Sequence, residues 1–339
     1  MKLSKKIISI ISVIALMTAV MSGCAIQDNR AVITVNGEDI NPASYGYYLS
    51  MVKQQMLSEA GISTEEDAEK FWTTPIDGED PLDTAKEKAK DEIINMTVQY
   101  QEAVNSGIEF TSEDEKKLKS QISDIVSNLG GRAQYEEQLE AMGTTADAFE
   151  ALYKKSTVIS KFEQSLEADG TLSVDEAEVK DYISKNYIKA KHILFATQNL
   201  ETGEPYDEAQ TESVKQTALN VLEQINDGGD FDKLMNEYSE DTGLAQNPDG
   251  YEFTKGEMVP QFEEAAFALK EGEVSELVES TYGIHIIKRE TFVITDEKIT
   301  QYTSQAETNI LAEQFDDYTE KLVEKAEIKV NDKLIKKIK

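Results

Sequence analysis

The segments Ala190-Lys191-His192-Ile193-Leu194-Phe195 and Thr281-Tyr282-Gly283-Ile284-His285-Ile286-Ile287-Lys288 decide the reading of this chain, because they hold the only 2 histidines of 339 residues. Each imidazole sits in a run of β-branched and aromatic residues, the composition of a short buried strand. Two histidines are therefore expected on neighbouring strands. Between them, residues 207–227 put Val214, Ala218, Val221, Leu222 and Ile225 on one helical face and stop at Gly228-Gly229. Asp230 can cap a short helix on which Phe231, Leu234 and Tyr238 share a side, and residues 243–250 are rich in turn formers. Pro260 suits the start of a third helix whose Phe262, Ala265, Ala266 and Leu269 face one way. Residues 274–278 and 283–290 read as two further strands. Strand, helices and strands over about 100 residues make one α+β domain of ordinary size.

Outward from this centre, the amino-terminal side is helical. Ala31-Val32-Ile33-Thr34-Val35-Asn36-Gly37-Glu38 alternates and then meets Asn-Gly, so it reads as one strand with a tight turn. Tyr45, Tyr48, Leu49, Val52 and Met56 recur at helical spacing; residues 71–81, with Trp72, two prolines and Gly78, should break that pattern as a loop. A long helix is expected from Leu82 to about Asn105. Thr111 followed by acids marks the next helix start, with others over residues 133–142, 145–166 and from Ser173, partnered by Glu176, to about Asn186. Scattered Met and Tyr side chains could line a groove for unfolded chains or simply form the helix core. On the other side of the centre, residues 296–325 read as one helix, and Ile328-Lys329-Val330-Asn331 mirrors the first strand. Pairing of these two end strands would make the central domain an insert.

Lys2, Lys5 and Lys6 precede an apolar run from Ile7 to Val20, too short to span a bilayer but long enough for an export signal. The run ends Met21-Ser22-Gly23-Cys24, and Cys24 is the only cysteine. This resembles a lipobox, with Met in place of the usual Leu, in which the thiol is lipidated and Cys24 becomes the first residue; an ordinary signal peptide with an incidental cysteine is the alternative. One cysteine excludes a disulfide framework within the chain. With 34 basic and 65 acidic residues the net charge is -31, and removal of a leader carrying three lysines and no acid takes it to -34. Such a chain repels nucleic acid and anionic headgroups, so a lipid is what would keep it at a membrane. The acidity itself is equally explained by solubility.

Ala-Lys-His-Ile-Leu, Gly-Gly-Asp-Phe-Asp-Lys-Leu, Glu-Tyr-Ser-Glu-Asp, Lys-Gly-Glu-Met-Val-Pro-Gln-Phe-Glu-Glu-Ala-Ala-Phe-Ala-Leu, Gly-Glu-Val-Ser and Tyr-Gly-Ile-His-Ile-Ile-Lys follow one another here as in the parvulin-type peptidyl-prolyl cis/trans isomerases. With the lipobox and the flanking helices, the layout is similar to that of PrsA-type foldase lipoproteins of Gram-positive bacteria. The resemblance implies an α+β chain in which a parvulin domain, a small antiparallel sheet flanked by helices, is inserted between the N- and C-terminal segments of a mainly helical chaperone domain. The boundaries would be a signal peptide over 1–23, a lipidated tether over 24–30, helical domain over 31–186, isomerase over 187–291, and a C-terminal helix and strand over 292–339.

By that resemblance Met258 and Phe262 form an apolar cup for the proline ring, with Tyr251 and Phe253 beside it, and His192 and His285 lie beneath as a paired network. Asp241 takes the position of the parvulin Cys or Asp, and Tyr282 would join the same hydrogen bonds. Each has a plainer reading: a buried histidine pair that orders the sheet, core packing for Met258 and Phe262, and loop capping for Asp241. The family leucine of the pocket wall falls on Gly250, so Tyr251 replaces it or the cup is shallower. An inactive isomerase on a holdase chaperone, and more remotely a solute-binding lipoprotein, are the rival readings. The loop 197–206 has Glu201 and Glu204 but no Lys or Arg, which argues against a phosphoserine-proline preference. No metal or cofactor is implied. The expected partners are unfolded or partly folded exported polypeptides and, through Cys24, the extracytoplasmic face of the cell membrane, with no nucleic acid; a homodimer is left open.

Overall fold

The computed structural model describes residues 30–338 apart from Ser63, Asp77 and Glu201. The leader, the lipobox and Cys24 lie outside the described residues. The chain divides into two compact units, one of Met1–Val174 with Thr308–Lys339, the other Asp175–Glu307.

In the first unit β1 (Ile33–Val35) and β2 (Glu38–Ile40) form the expected hairpin. Six helices follow: α1 (Pro42–Glu59), α2 (Glu65–Thr73), α3 (Pro81–Asn105), α4 (Ser112–Asn128), α5 (Arg132–Ala141) and α6 (Ala146–Ala168). Their starts are written in side chains. Asn41 accepts from the Ser44 amide, and Thr111 and Asp114 form a reciprocal capping box. The segment 71–81 is only partly a loop. Thr64 caps α2, three acids occupy its first turn, and Phe71 and Trp72 meet edge to face at its end with centroids 4.8 Å apart. Tyr45, Tyr47, Tyr135, Met51, Met96 and Met142 are all buried, so these side chains are core and line no groove.

The second unit opens with α7 (Glu176–Asn186), capped by Asp175 with Glu178 reciprocating, two residues later than the Ser173 start read from sequence. Then come β3 (Ile188–Ala196), α8 (Glu208–Asn226), α9 (Phe231–Tyr238), β4 (Tyr251–Phe253), α10 (Pro260–Ala268), β5 (Val278–Ser280) and β6 (Gly283–Glu290). The antiparallel order is β4-β3-β6-β5. Residues 274–278 do not form the expected strand: Val274 makes one isolated bridge to Lys288. At Ser275 the hydroxyl, instead of the carbonyl, accepts from the Ile287 amide at 2.9 Å, which breaks the backbone ladder, and the strand begins only at Val278. Because side chains alternate along a strand, Ile193, Phe195, Ile284 and Ile286 pack under α8 and α9. Ile188, Ala190, Ile287 and Phe253 form a second core with Phe262 and Ala266 of α10.

The helix α11 (Asp296–Val323) and the elements β7 (Ile328–Val330) and α12 (Asp332–Ile335) end the chain. β7 pairs with β1, Ile33 opposite Val330 and Val35 opposite Ile328, so the expected meeting of the two end strands is observed and β1 is the centre of its sheet. Among the described residues no helix is long and apolar enough to cross a membrane.

Candidate active site

The register of β3 and β6 sets Leu194 opposite His285 and His192 opposite Ile287. Residues directly opposite share a face, so both imidazoles lie as diagonal neighbours on the α10 side of the sheet. His192 Nδ1 is 3.1 Å from His285 Nδ1, and the rings lie nearly parallel, 22° apart. At one end of the pair, His192 Nε2 is 3.1 Å from Asp241 Oδ2, which also accepts from the Tyr251 hydroxyl at 2.6 Å. At the other end, His285 Nε2 is 2.7 Å from Ser280 Oγ, which accepts from the Tyr282 amide at 3.1 Å.

The proton positions follow from this chain of contacts. An ionised carboxylate only accepts, so His192 carries a proton on Nε2 and, as a neutral ring, offers a bare Nδ1. His285 must then donate from Nδ1, which leaves its Nε2 to accept from the Ser280 hydroxyl. Every donor has an acceptor when both imidazoles are neutral; a further proton on His192 Nδ1 fits only if His285 turns to its other tautomer and donates from Nε2 to Ser280 Oγ. Burial, then the neighbouring His192, lowers the His285 pKa to about 3 despite the opposing pull of Asp241. Burial works against ionisation of Asp241, but hydrogen bonds from His192, Tyr251 and the Gly243 amide outweigh it and hold the carboxyl well below the usual carboxylate range. Burial and the bond to Asp241 push the Tyr251 phenol up to about 12, so it stays a donor.

The apolar side is built from α10 and β4. Phe262 is buried and turns its ring edgewise to both imidazoles, at 5.1 Å from His192 and 5.4 Å from His285. Phe253 is buried behind it, with ring centroids 5.9 Å apart, and Met258 packs partly exposed on the same cluster. His192, His285, Asp241, Tyr251, Phe262, Phe253 and Met258 therefore belong to one assembly. Tyr282 does not join it as expected. Its side chain is 50% exposed, and its amide, not its phenol, reaches the network through Ser280.

Gly250 also changes meaning. Its φ is +94°, and a Cβ there would lie 2.6 Å from the Ala190 carbonyl oxygen, so no leucine wall can stand at this position. The residue is glycine for the backbone's sake, which removes the motive for reading the cup as damaged. Three contributors were missed in the sequence. Ser280 closes the histidine chain, the Gly243 amide donates to Asp241 Oδ1 at 2.9 Å, and Ser239 Oγ accepts from the Leu194 amide at 3.1 Å. A serine at the end of a strand or helix, or a glycine in a turn, carries no periodic signal, and only the partner reveals its use. A cavity of about 380 Å³ lined by Thr197, Tyr206, Lys215 and Glu279 touches the network at Ser280 alone. Among the described residues no group of three or more His, Cys, Asp or Glu could hold a metal.

The chain is similar to known proteins along most of its length. The PPIC-type PPIase domain matches residues 192–291, and the SurA-like N-terminal domain matches residues 1–163. The foldase protein PrsA of Caldanaerobacter subterraneus subsp. tengcongensis is 30% identical over 272 residues, 78% of this chain and 74% of that protein. The foldase protein PrsA of Staphylococcus aureus strain Newman is 29% identical over 240 residues, 69% of this chain and 71% of that one. The solution structure of the parvulin of Nitrosopumilus maritimus is 39% identical, covers 31% of this chain and 97% of its own, and superposes with a TM-score of 0.23. With a relative that similar along three quarters of its length and an isomerase domain matched across both histidines, the chain belongs to the PrsA foldase family.

Proposed function

We propose that this chain is an extracytoplasmic foldase that isomerises Xaa-Pro bonds in exported polypeptides. The observation that carries the proposal is the five-membered chain Ser280, His285, His192, Asp241 and Tyr251 lying against Phe262. Rotation about an Xaa-Pro bond meets a barrier of roughly 18 to 20 kcal/mol because the amide is conjugated. No bond has to break; a catalyst need only favour the twisted amide over the planar one. In this reading Met258 and Phe262 seat the proline ring. His192, His285 and Asp241 present a floor of fixed polarity to an amide whose nitrogen loses conjugation. Burial keeps His285 neutral in this role, so it acts as an oriented dipole, not as a proton carrier. Tyr282, half exposed beside Ser280, is available to the arriving chain.

The expected divisions 31–186, 187–291 and 292–339 meet inside the compact second unit, Asp175–Glu307, near both of its ends. A helical domain that holds clients belongs to the same proposal. So does lipidation at Cys24 after removal of residues 1–23, which would keep an acidic chain at the outer face of the cell membrane.

The test is a proline-peptide isomerisation assay on the wild type, His285→Ala and Met258→Ala, run beside suppression of client aggregation. We expect the wild type to accelerate exchange and both variants to lose at least about tenfold while still suppressing aggregation. Equal rates in all three would overturn the enzyme reading and leave a holdase.

A further inference from the structure

Tyr251 has a polar role that its place in the sequence conceals. Its phenol donates at 2.6 Å to Asp241 Oδ2, the oxygen that also faces His192 Nε2 at 3.1 Å. The surroundings are shaped for that phenol. Gly243 is not among the residues with positive φ, so its backbone does not demand glycine. Yet a Cβ at Gly243 would lie 2.3 Å from Tyr251 Oη and 3.3 Å from Asp241 Oδ1. Glycine at 243 makes room for the hydroxyl, and its amide secures the other carboxylate oxygen at 2.9 Å.

The strand that carries Tyr251 is fixed residue by residue, although it is three residues long and pairs only with β3. Tyr251 is opposite Ala190, and Phe253 is buried. Glu252 accepts from Lys298 Nζ at 2.6 Å and from the Tyr302 hydroxyl at 3.3 Å.

We propose that Tyr251 is a positioning residue of this isomerase site: by holding Asp241 against His192 Nε2 it fixes the tautomers of both histidines. The direction of the histidine chain has to be set by something. If both imidazoles exchanged tautomers, His192 Nδ1–H would donate to His285 and His285 Nε2–H to Ser280, and each of those links would still be satisfied. Only the Asp241 end would fail, because a bare His192 Nε2 would face a carboxylate. With both imidazoles neutral, the carboxylate therefore decides the direction of the whole chain, provided it is held in place. Rotation of a carboxylate about its last torsion is soft; the phenol and the Gly243 amide restrain it from two sides.

The catalytic consequence rests on the isomerase reading, but the tautomers are observable without it. The experiment records nitrogen-15 spectra of the histidines in the wild type, Tyr251→Phe, Gly243→Ala and the double variant, with isomerisation kinetics on each. We expect one tautomer pair in the wild type, His192 protonated on Nε2 and His285 on Nδ1, and a mixture in Tyr251→Phe. Removing one hydrogen bond to a charged group should lower kcat by about threefold to tenfold with KM within about twofold. Gly243→Ala should displace the phenol and reproduce both changes, and the double variant should be no worse than Tyr251→Phe. Unchanged histidine spectra in Tyr251→Phe, or effects of the two substitutions that add, would overturn the proposal. Were the wild type inactive as an isomerase, the spectra alone would decide it.

Discussion

The two units bury polar side chains in different ways. Around the histidines of the second unit, hydrogen bonds run unbroken from Ser280 to Tyr251 and Gly243. In the first unit the hydroxyls of Ser50, Tyr135 and Thr144 are buried without a protein partner, although Tyr45 donates to the Lys86 carbonyl and Gln99 to Thr319; away from the histidines the second unit likewise leaves Arg289 Nε without one. The interior of the first unit also carries aromatic edges such as Tyr47 on Phe149 at 5.7 Å and Phe162 on Phe315 at 6.5 Å. An unsatisfied buried hydroxyl costs about 1 to 3 kcal/mol, whereas each fully buried large side chain contributes about 1.5 to 3 kcal/mol, so a large apolar core tolerates a few such hydroxyls. A site whose geometry is the product of its hydrogen bonds does not. The first unit should therefore respond to lost volume, and the second to lost volume and lost bonds alike.

The largest effect should come from cutting Phe262 to alanine. That ring is buried and braces both imidazoles, so Phe262→Ala should cost about 3 to 5 kcal/mol in the second unit and remove most isomerisation. Phe149→Ala, at an equally buried ring of the first unit, should cost a similar amount there and leave the isomerisation rate nearly intact. Hydrogen exchange resolved by unit, run beside the rate assay, checks both. Loss of isomerisation in both variants alike would erase the contrast.

Next comes Gly250→Ala, expected to destabilise the second unit by about 2 to 3 kcal/mol, since it combines strain at positive φ with a Cβ 2.6 Å from the Ala190 carbonyl oxygen. Thermal unfolding followed by the second unit's signals measures it. A neutral or stabilising result would return Gly250 to the wall of the pocket.

Acid should separate the units as well. The His285 pKa falls to about 3 in the folded chain, below the ordinary histidine value of about 6.5. Under pH 6.5 the unfolded state therefore binds a proton that the folded state refuses, and stability falls with pH by about 1.4 kcal/mol per unit, about 2 kcal/mol at pH 5. Asp241, held low in the folded chain, adds to the loss only below its ordinary value of about 3.9. Urea titrations at pH 7 and pH 5 should show the loss in the wild type and much less of it in His285→Leu. An equal pH dependence in the two proteins would place the acid sensitivity elsewhere.

What the sequence made legible follows the same division. Strands β3 and β6 were visible because β-branched runs flank each histidine. Helices α4 and α8 were visible because their caps are side chains, Thr111 and Asp207. The histidine pair, Asp241 and Phe262 were placed by motif order. The use of Ser280, of Gly243 and of the Tyr251 hydroxyl was not legible, since each depends on a partner brought close by strand register or a turn. Tyr282 was misplaced for the same reason: the resemblance put its side chain in the hydrogen-bond network, and the fold turned that side chain outward. In the helical unit, tyrosines at helical spacing read as core more readily than as groove, and burial settles it for Tyr45, Tyr47 and Tyr135.

One substitution made in both units gives the smallest expected effect and the sharpest form of the comparison. Tyr135 and Tyr251 are each a phenol in a packed setting, yet the Tyr135 hydroxyl has no protein partner and the Tyr251 hydroxyl is bonded to a carboxylate. Tyr135→Phe removes a buried oxygen and leaves the ring against Phe149 and Arg132. It should be neutral or stabilising by up to about 1 kcal/mol. Tyr251→Phe leaves Asp241 Oδ2 short of a donor and should destabilise by about 1 kcal/mol or more. Urea unfolding of the two variants against the wild type gives the sign of each. If both lose stability, the Tyr135 hydroxyl is hydrogen-bonded in solution, and the first unit satisfies its buried polar groups after all; opposite signs mean that the same atom is a burden in one core and a fastening in the other.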